Sequence, residues 1–307
     1  MMRLGVVIVS FNVRDLLQAC LRSLFAELAR TPALAAAVVV VDNASADDSA
    51  AMVAAHFPQV DLIASAENLG FALGNNLGLR RLGLEQPGGD PPPLLLLLNP
   101  DTELHPGSLA ALTGFLAAQP QAGGCCPRLA YGDGSFQHSA FHFPGLAQLF
   151  LDLFPLHPRL LHSRINGRYP RRLYDGDRPF PIDFALGAVL LLRAAAIAAA
   201  GLLDEGYFMY AEEMDWQRRI QAAGWPLYCL PTARVTHHEG QSTRQFRGPM
   251  TLALWRSRLR YYDRYYPAWK RRLARGLVAF AMQGRARAAG PAQRPTYEAI
   301  RQLARSA

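Results

Sequence analysis

The sequence predicts an α/β fold in which helices cover both faces of a mostly parallel central sheet. Four short, continuously apolar segments have the length of strands, at 4–9, 38–42, 60–64 and 94–98. Helical patterns alternate with them, at 14–29, 46–56 and 72–84. Such alternation is typical of strand–helix–strand units, which form parallel sheets. Strands without a polar face are covered by helices on both sides.

The composition permits one large domain or two smaller ones. The chain has 307 residues, of which 50% are hydrophobic, so it can bury a large core. Its 32 basic and 24 acidic residues give a net charge of +8, and a dense basic block extends from Arg244 to Arg305. We expect this half of the chain to favour anionic partners.

We expect a cytoplasmic protein without a membrane-spanning segment. No apolar stretch approaches the roughly 18 residues that a transmembrane helix needs. The apolar start at Leu4 is too short for a signal peptide, so we interpret it as the first strand. The four cysteines, at 20, 125, 126 and 229, include no CxxC pair. They are expected to be reduced, mostly buried thiols.

The second half of the chain is less regular, and the proline- and aromatic-rich segment 127–182 predicts no clear elements. Elsewhere the predicted elements are a helix after Pro106, a strand from Phe184 to Leu192 that includes Gly187 and Ala188, a helix from Ala194, a helix from Glu212 to Ala223 that ends at Gly224, and a strand from Ala233 to Thr236. In the first half, the helix at 46–56 is expected to be capped by Ser45 or Asp47, whose side-chain oxygen can accept a first-turn amide proton.

Two predicted strands end in carboxylates. Asp42 follows Val38–Val41, and Asn99-Pro100-Asp101 follows Leu94–Leu98. Ligands of open α/β sheets bind beyond the carboxyl ends of the strands, so both acids are expected to face one ligand. Asp101 offers an oxygen that suits a hard cation bridging two phosphates. Ordinary polar turns, with Asp42 as an Asx cap, are the alternative.

A loop rich in glycine and asparagine, Glu67–Gly78, leads into the third predicted helix. Glycine lets the backbone approach a phosphate or sugar closely. Gly70, Gly74 and Gly78 recur every four residues, so a glycine face for close helix packing is an equal alternative. No GxGxxG follows the first strand, which argues against a dinucleotide-binding dehydrogenase.

A cluster of acids follows the apolar segment Tyr207–Tyr210, which we interpret as a third strand ending in carboxylates. Glu212, Glu213 and Asp215 stand at the predicted start of a helix, where the helix dipole by itself would favour negative charge. Beside so apolar a segment, we expect carboxylates held in a pocket, one of them a general base. Asp215 is expected to pair with Arg219, four residues further on.

Two adjacent histidines, His237 and His238, follow the predicted strand at 233–236. Neighbouring residues on a strand face opposite sides of the sheet. At most one of the two is therefore expected to serve a functional site.

Taken in order, these segments resemble glycosyltransferase family 2, and especially its bacterial rhamnosyltransferase-like branch. The resemblance covers about residues 4–243 and rests on Val9–Asn12, Val41–Ser45, Asn68–Ala72 with Gly74–Asn76, Leu98–Asp101, Gly187–Ala188, Leu203–Tyr210, Glu212–Asp215 with Arg219 and Gly224, and His237–Ser242. It implies a GT-A-type, Rossmann-like α/β/α sandwich over 1–243, divided into a nucleotide-sugar-binding half at 1–105 and an acceptor-binding half at 106–243. A basic helical C-terminal extension would follow at 244–307.

The resemblance also implies roles for individual residues. Nucleotide-sugar binding would fall to Ser10, Asn12, Asp42, Asn68, Gly70, Asn99 and Asp101, and acceptor binding to Gly187, Asp215 and Trp216. A divalent metal, Mg²⁺ or Mn²⁺, would lie at Asp101 and His237. The catalytic base would be Glu213, where the family commonly has aspartate, with Glu212 as the other candidate.

The implied reaction is a single in-line displacement that inverts the anomeric configuration. The implied donor is a nucleotide-diphosphate sugar, with dTDP-rhamnose preferred, although no residue excludes UDP-glucose or UDP-galactose. The acceptor would be a bacterial surface glycan or its lipid-linked precursor. The amphipathic segment Trp269–Phe280 would then touch the inner face of the cell membrane peripherally, and a helix packed on its own domain is the equal alternative.

Two other classes of function compete with this interpretation. A catalytically inactive nucleotide-sugar-binding protein or scaffold of the same fold would explain the glutamate at position 213, although Asp101 and His237 argue against it. A nucleic-acid-binding protein would use the arginines and tyrosines of segment 256–264. That alternative leaves the acidic motifs unexplained, so no nucleic-acid partner is expected.

Overall fold

A computed structural model describes residues 1–238 and 247–306 of the chain. Its strands are β1 (Met2–Ser10), β2 (Leu34–Asp42), β3 (Asp61–Ala64), β4 (Leu94–Leu98), β5 (Thr102–Leu104), β6 (Gly124–Ala130), β7 (Phe136–Gln137), β8 (Ala140–Phe141), β9 (Phe180–Ile182), β10 (Phe184–Ala185), β11 (Val189–Arg193) and β12 (Leu227–His237). The end of the histidine motif, 239–242, and the boundary expected at 243 lie outside the described residues.

The helices occupy both halves of the chain. They are α1 (Arg14–Arg30), α2 (Ser49–His56), α3 (Gly70–Arg81), α4 (Ser108–Ala118), α5 (Leu146–Leu153), α6 (Pro158–Leu161), α7 (Arg171–Asp175), α8 (Ala194–Ala200), α9 (Glu212–Ala222), α10 (Arg247–Tyr265), α11 (Ala268–Ala288) and α12 (Arg294–Arg305), with a 3₁₀ helix at Arg164–Asn166.

The described strands form a mostly parallel sheet of ten strands, with the main order β3-β2-β1-β4-β11-β6-β12-β5. β1 pairs in parallel with β2 and β4, and β12 pairs in parallel with β6. β11 lies antiparallel between β4 and β6. The carboxyl ends of β1, β2, β4 and β12 therefore lie along one edge of the sheet. The predicted fold class is confirmed.

Both faces of the sheet are buried, because side chains alternate along each strand. Val38 and Val40 of β2 pack into one apolar core with α1, whereas Val39 and Val41 pack into a second core with α3. Every leucine of β4 is buried, and a fully buried leucine contributes about 1.5–3 kcal/mol to stability. The four cysteines are buried and free, as the sequence predicts.

The predicted strand at 184–192 is wrong, because the structure divides it in two. β10 pairs with β8 in a separate two-stranded sheet, and β11 begins only at Val189. The amide of Gln217 on α9 accepts a hydrogen bond from Ala185 N at 2.7 Å and donates one to Ala185 O at 2.8 Å. The side chain thus satisfies the backbone groups of Ala185 on the edge of β10 away from β8, and Gly187 and Ala188 are left in a turn.

The third strand expected at Tyr207–Tyr210 is also wrong. Tyr210 and Ala211 have φ values of 70° and 65°, a left-handed conformation that strands do not adopt. The segment is a loop whose Tyr207 is buried in a third apolar core. Its apolar character therefore reflects packing and not strand pairing.

The start of α2 lies three residues later than predicted, at Ser49. Asp47 Oδ1 accepts a hydrogen bond from Ser49 N at 3.2 Å, so the capping role of Asp47 is confirmed. Ser45 does not cap this helix. Its Oγ accepts a hydrogen bond from Asn12 N at 3.0 Å and joins the loops after β1 and β2.

The C-terminal helices pack against the rest of the protein through the third apolar core. Trp255 and Leu259 of α10 and Val278 of α11 share this core with Tyr207 and Met214. None of the helices among the described residues is long and apolar enough to cross a membrane.

Ion pairs hold α10 to the loop before α9. Arg260 and Arg264 both contact Asp204, at 2.9 and 3.0 Å, and Arg258 pairs with Asp152 at 3.0 Å. These arginines belong to the segment on which the nucleic-acid alternative depends. Because carboxylates of the same chain already pair with them, that alternative loses support.

Two glycines of α3 permit close packing on β1, which confirms the helix-packing interpretation for Gly74 and Gly78. A methyl group on Gly74 would come within 2.9 Å of Val9 Cγ1, and one on Gly78 would overlap Val7 Cγ1. Val7 is fully buried and β-branched, so it cannot move aside easily.

We predict that Gly78→Ala lowers the free energy of unfolding by about 1–3 kcal/mol, the usual cost of overpacking a core. Gly114→Ala is the matched control, because Gly114 also lies inside a helix but an added methyl group would meet no atom within 4 Å among the described residues. That control should be neutral or more stable by about 0.5–1 kcal/mol. Urea denaturation measures both changes, and equal stability of the two variants would contradict the prediction.

Candidate active site

A cavity of about 490 Å³ opens at the sheet edge where the parallel strands end. Its lining includes Ser10, Asn43, Asn68, Gly70, Phe71, Asn99, Asp101, Gly187, Phe208, Glu212, Glu213 and His237. These residues come from the ends of β1, β2, β4 and β12 and from the loops before α3 and α9. The position beyond the carboxyl ends of the strands is the one expected for a ligand of this architecture.

The loop before α3 is held in place by Asn43. Asn43 Oδ1 accepts a hydrogen bond from Leu69 N at 3.2 Å, and its Nδ2 donates to Gly70 O at 3.1 Å. Gly70 has φ +76°, and a methyl group there would overlap Phe208 O. Only glycine therefore lets the loop before α3 approach the loop before α9, and the two loops close one side of the cavity.

Asp101 and His237 face each other at the sheet edge. β5 and β12 place His237 beside Thr102, and His237 Nε2 lies 3.4 Å from Asp101 Oδ1. Nδ1 of the same ring lies 3.2 Å from Gln137 Oε1, to which the tautomer with its proton on Nδ1 would donate. In that tautomer, Nε2 presents a lone pair to a carboxylate oxygen that has no hydrogen-bond partner among the described residues.

This pair of acceptors fits a bound divalent cation. Two acceptor atoms that face each other need a cation or a proton between them, and oxygen with imidazole nitrogen suits Mn²⁺ or Mg²⁺. Residues 1–238 and 247–306 hold no group of three or more side chains that could bind a metal by themselves. Such a cation would have to complete its coordination with phosphate oxygens and water, as Mg²⁺ commonly does.

The two histidines face opposite ways, as predicted. His237 is buried at the cavity, whereas His238 Nε2 lies 2.7 Å from Glu103 Oε1 on the other side of the strand. The structure therefore brings only His237 to the site.

Glu212 and Glu213 form the wall opposite the sheet edge, at the start of α9. Each has one carboxylate oxygen, Oε2, that is buried and lacks a hydrogen-bond partner in the described part of the chain. Burial and the neighbouring Glu213 charge raise the pKa of Glu212 well above its usual range. Burial also raises the pKa of Glu213. The pair is thus poised to bind a proton.

Asp215 and Trp216 lie behind the cavity wall. The carboxylate of Asp215 is fully buried, and its Oδ2 accepts a hydrogen bond from Arg219 Nε at 2.9 Å, so the predicted pair is confirmed. Trp216 is fully buried and donates from Nε1 to Gly201 O at 2.7 Å. Neither is among the lining residues, so either would act on an acceptor only through Glu212 and Glu213.

The other predicted site residues divide into those that line the cavity and those that do not. Ser10, Asn68, Gly70, Asn99, Asp101 and Gly187 line the cavity. Asn12 and Asp42 are not among its lining residues: Asn12 Oδ1 accepts a hydrogen bond from Ala46 N at 2.8 Å, and Asp42 Oδ2 accepts one from Ser45 N at 3.0 Å. Asp42 thus forms the alternative Asx turn, although its buried Oδ1 has no partner in the described part of the chain.

Several lining residues were missed by sequence reasoning. Among them are Asn43, Phe71, Phe208, Met209 and Tyr210. Asn43 stands beside Asp42 in the same motif, so its position after a strand was a usable signal. The apolar residues had none, because a phenylalanine that lines a cavity looks the same in sequence as one in the core.

Comparison with solved structures identifies the fold of the chain. The mannosyltransferase PcManGT from Pyrobaculum calidifontis, solved with GDP-Man and Mn²⁺, has 15% identity and a TM-score of 0.57 over 99% of this chain and 75% of its own. GalNAc-T7, solved with UDP, GalNAc and Mn²⁺, has 16% identity and a TM-score of 0.55 over 77% of this chain and 43% of its own. The fold is that of the GT-A glycosyltransferases.

Sequence similarity then gives the family. The family described as Glycosyl transferase family 2 matches residues 5–187. The N-acetylglucosaminyl-diphospho-decaprenol L-rhamnosyltransferase of Mycobacterium tuberculosis is 32% identical over 211 residues, 67% of each chain. Rhamnosyltransferase WbbL of Escherichia coli is 31% identical over 65 residues, 21% of this chain and 25% of its own. The chain belongs to glycosyl transferase family 2 and is a glycosyltransferase.

The raised pKa of Glu212 predicts that its charge destabilises the fold at high pH. The folded state holds the proton more tightly than the unfolded state, whose glutamate pKa is about 4.3. The stability that this proton adds is fully present below a pH of about 4.3 and is lost as pH rises through the folded-state pKa. The loss is about 1.4 kcal/mol for each unit by which the folded-state pKa exceeds the unfolded-state pKa.

Glu212→Gln should therefore reduce the loss of stability between pH 5 and pH 8, which are about the limits of the usual stable range. The slope of unfolding free energy against pH, measured by urea denaturation, is the readout, because the absolute stability also reflects packing of the new amide. Glu298→Gln, a change at an exposed glutamate of α12, is the control and should keep the wild-type slope. A wild-type slope in Glu212→Gln would contradict the raised pKa.

Proposed function

We propose that the protein transfers L-rhamnose from dTDP-rhamnose, with inversion, to a hydroxyl group of a lipid-linked precursor of a bacterial surface glycan. The rhamnosyltransferase names of the relatives support the sugar, and the diphospho-decaprenol in one of those names supports a lipid-linked acceptor. The observation that carries the proposal is a single cavity lined by Asp101 and His237 on one side and on the other by Glu213, whose Oε2 has no hydrogen-bond partner in the described part of the chain.

The reaction is an in-line displacement in which Glu213 acts as the general base. Its carboxylate takes the proton of the acceptor hydroxyl, and that oxygen forms a bond to the anomeric carbon. The bond from the anomeric carbon to the diphosphate oxygen breaks, and the nucleoside diphosphate leaves with the electron pair. A positioned base of this kind contributes about 10²- to 10⁴-fold to the rate.

Glu212 is the buried neighbour of the assigned base. The two carboxyl groups are adjacent in a buried site, so the charge of one opposes the ionisation of the other. Burial raises the pKa of Glu213 above its usual range and so makes the carboxylate a stronger base.

Asp101 and His237 would hold a divalent metal, Mg²⁺ or Mn²⁺, at the diphosphate of the donor. Bound there, the cation would stabilise negative charge on the departing phosphate. The Mn²⁺ in both GT-A neighbours supports a divalent ion of this kind. Ser10, Asn12, Asp42, Asn68, Gly70 and Asn99 complete the donor site in this proposal, which assigns 1–105 to the donor and 106–243 to the acceptor.

The proposal is tested by release of nucleoside diphosphate from separate nucleotide sugars, with Mg²⁺ or Mn²⁺ and a lipid-linked acceptor present. We expect dTDP-rhamnose to be the preferred donor. Glu213→Gln should lower kcat by about 10²- to 10⁴-fold. In Asp101→Ala, added metal should no longer raise turnover. Glu298→Gln and Asp177→Ala make the same chemical changes at exposed positions and should leave turnover unchanged.

Calorimetric measurement of nucleotide-sugar binding distinguishes between an active enzyme and an inactive scaffold of the same fold. Retained donor binding without turnover in the wild-type protein would establish the scaffold. Absence of both binding and turnover for every nucleotide sugar would overturn the proposal as a whole.

Peripheral contact with the inner face of the cell membrane, and hence a cytoplasmic location, is a further part of the proposal. One face of α11 packs on the protein through Ala274, Val278 and Met282. Trp269 and Phe280 on the opposite face are 65% and 70% exposed, and Leu273 lies between them. Their spacing of four and seven residues places all three on one stripe of the helix.

The charges beside this stripe suit an anionic bilayer. Lys270 and Arg272 lie between Trp269 and Leu273 in the sequence, and Arg272 is exposed. Each basic residue near an anionic membrane surface contributes about 1 kcal/mol of attraction. An exposed apolar stripe with basic residues at its side is the pattern of helices that lie in the membrane interface.

We predict that the protein binds vesicles containing anionic phospholipid and binds vesicles of neutral phospholipid more weakly. Substitution of Trp269, Leu273 and Phe280 by alanine should weaken binding at least about tenfold, because it removes the buried apolar area. Ile165→Ala, a change at an exposed apolar residue elsewhere, is the control. Vesicle co-sedimentation measures binding, and unchanged binding by the triple variant would exclude α11 as the contact.

A further inference from the structure

A second cavity, of about 200 Å³, lies on the other side of Glu213. Tyr210 and Glu213 line both cavities, so the carboxylate stands between them. The second cavity, which we name the inner pocket, is also lined by Phe141, Asp152, Arg168, Phe184, Arg258 and Tyr262. An acceptor whose hydroxyl group extends past Glu213 into the first cavity would place its remaining atoms in the inner pocket.

Arg168 is the unusual residue of the inner pocket. Its Nε is buried and has no hydrogen-bond partner within the described chain. Its guanidinium carbon lies 4.4 Å from the centre of the Phe141 ring. Burial lowers the pKa of Arg168, although a guanidinium remains charged. A buried donor without a partner costs free energy unless a ligand supplies the acceptor.

Arg168 has no ion-pair partner in the inner pocket among the described residues. Arg258 lies 3.0 Å from Asp152, so the one aspartate of the lining already pairs with the other arginine. Glu213, the other acid of the lining, forms no ion pair with Arg168 within residues 1–238 and 247–306. An anionic ligand would supply the partner that Arg168 lacks.

The walls of the inner pocket suit a sugar next to that anion. Phe141 and Phe184 stack at 5.5 Å between ring centres, and Tyr262 closes the pocket beside them. Arg168 lies over Phe141, and Phe143 stacks on Phe184 at 5.8 Å between ring centres, so these rings form a fixed apolar wall. The guanidinium fork matches phosphate oxygens with two parallel hydrogen bonds.

The inner pocket also lies next to the proposed membrane contact. α5 contributes Asp152 to the pocket, and two residues earlier Phe150 is exposed. Phe154, which follows this helix, packs against Phe280 of the apolar stripe of α11 at 6.2 Å between ring centres. An acceptor that enters from a bilayer would thus meet the pocket at its lipid-facing side.

We propose that the inner pocket binds the acceptor as a sugar linked to a diphosphate, with Arg168 donating hydrogen bonds to the phosphate oxygens and Glu213 receiving the proton of the sugar hydroxyl. This inference rests on the proposed function and adds to it the site of the acceptor and the chemistry by which the acceptor is recognised.

The test compares two acceptors that carry the same sugar, one linked to a lipid diphosphate and one a neutral alkyl glycoside. For Arg168→Met, the ratio of kcat/KM for the diphosphate acceptor to that for the neutral acceptor should fall about 10- to 100-fold, the usual effect of a hydrogen bond to a charged group. Arg168→Lys should give an intermediate ratio, because it keeps the charge and loses the fork.

Arg164→Met is the matched control, because Arg164 is an exposed arginine of the same segment, and it should keep the wild-type ratio. Thermal unfolding first establishes that each variant is folded. A folded Arg168→Met with the wild-type ratio would overturn the inference, and so would an equal fall in kcat/KM for both acceptors. Turnover of the wild-type protein with the neutral acceptor tests the proposed function separately, since that acceptor carries no phosphate for Arg168 to contact.

Discussion

The arrangement of the site depends on a buried carboxylate that lines neither of the two described cavities. Asp215 is fully buried and accepts hydrogen bonds from Arg219 Nε at 2.9 Å and from the Tyr265 hydroxyl at 2.8 Å, with Arg264 at 3.1 Å. A buried charge persists only with such partners. These contacts fix the first turn of α9, and Glu213 stands two residues before Asp215. Since Tyr265 and Arg264 belong to α10, the C-terminal extension helps to position the catalytic wall.

The polar groups of the cavity are held at an energetic cost. Asp101, Glu212, Glu213 and Ser10 each have a buried oxygen without a hydrogen-bond partner among the residues that the structure describes. Unpaired buried groups are rare in folded proteins, because each loses the hydrogen bonds of water. Here they gather in one place, and the apolar cores around the sheet supply the stability that tolerates them. A ligand with donors and a cation would relieve that cost.

Glu213 divides the site into two compartments with opposite requirements. On one side, Asp101 and His237 present acceptor atoms that need a positive charge. On the other side, Arg168 presents a donor that needs a negative charge. In the proposed mechanism, Glu213 lies at the boundary and takes the proton of an acceptor hydroxyl that reaches the anomeric carbon of the donor in the first cavity. Each proposed substrate is anionic and would meet the positive charge it needs on its own side of Glu213.

The sequence by itself determined the layers of the fold and most of the positions at the sheet edge. Apolar strands that alternate with helices predict a parallel sheet whose two faces are covered by helices. In such a sheet, the residues after β1 and β4 meet at one edge. Asp101 could be named for that reason, whereas His237 and Glu213 were named through the family pattern.

Tertiary structure alone decided which residues reach the cavity. Asp42 and Asp101 both follow apolar strands, yet Asp42 turns back to bind Ser45 N and only Asp101 lines the cavity. Asp215 and Glu213 lie in the same turn of one helix, yet of these two only Glu213 lines the cavity. Arg168 gave no signal, because a lone arginine in an irregular segment becomes informative only when its neighbours are known. Local sequence specifies which elements form, whereas contacts between distant segments decide where a side chain points.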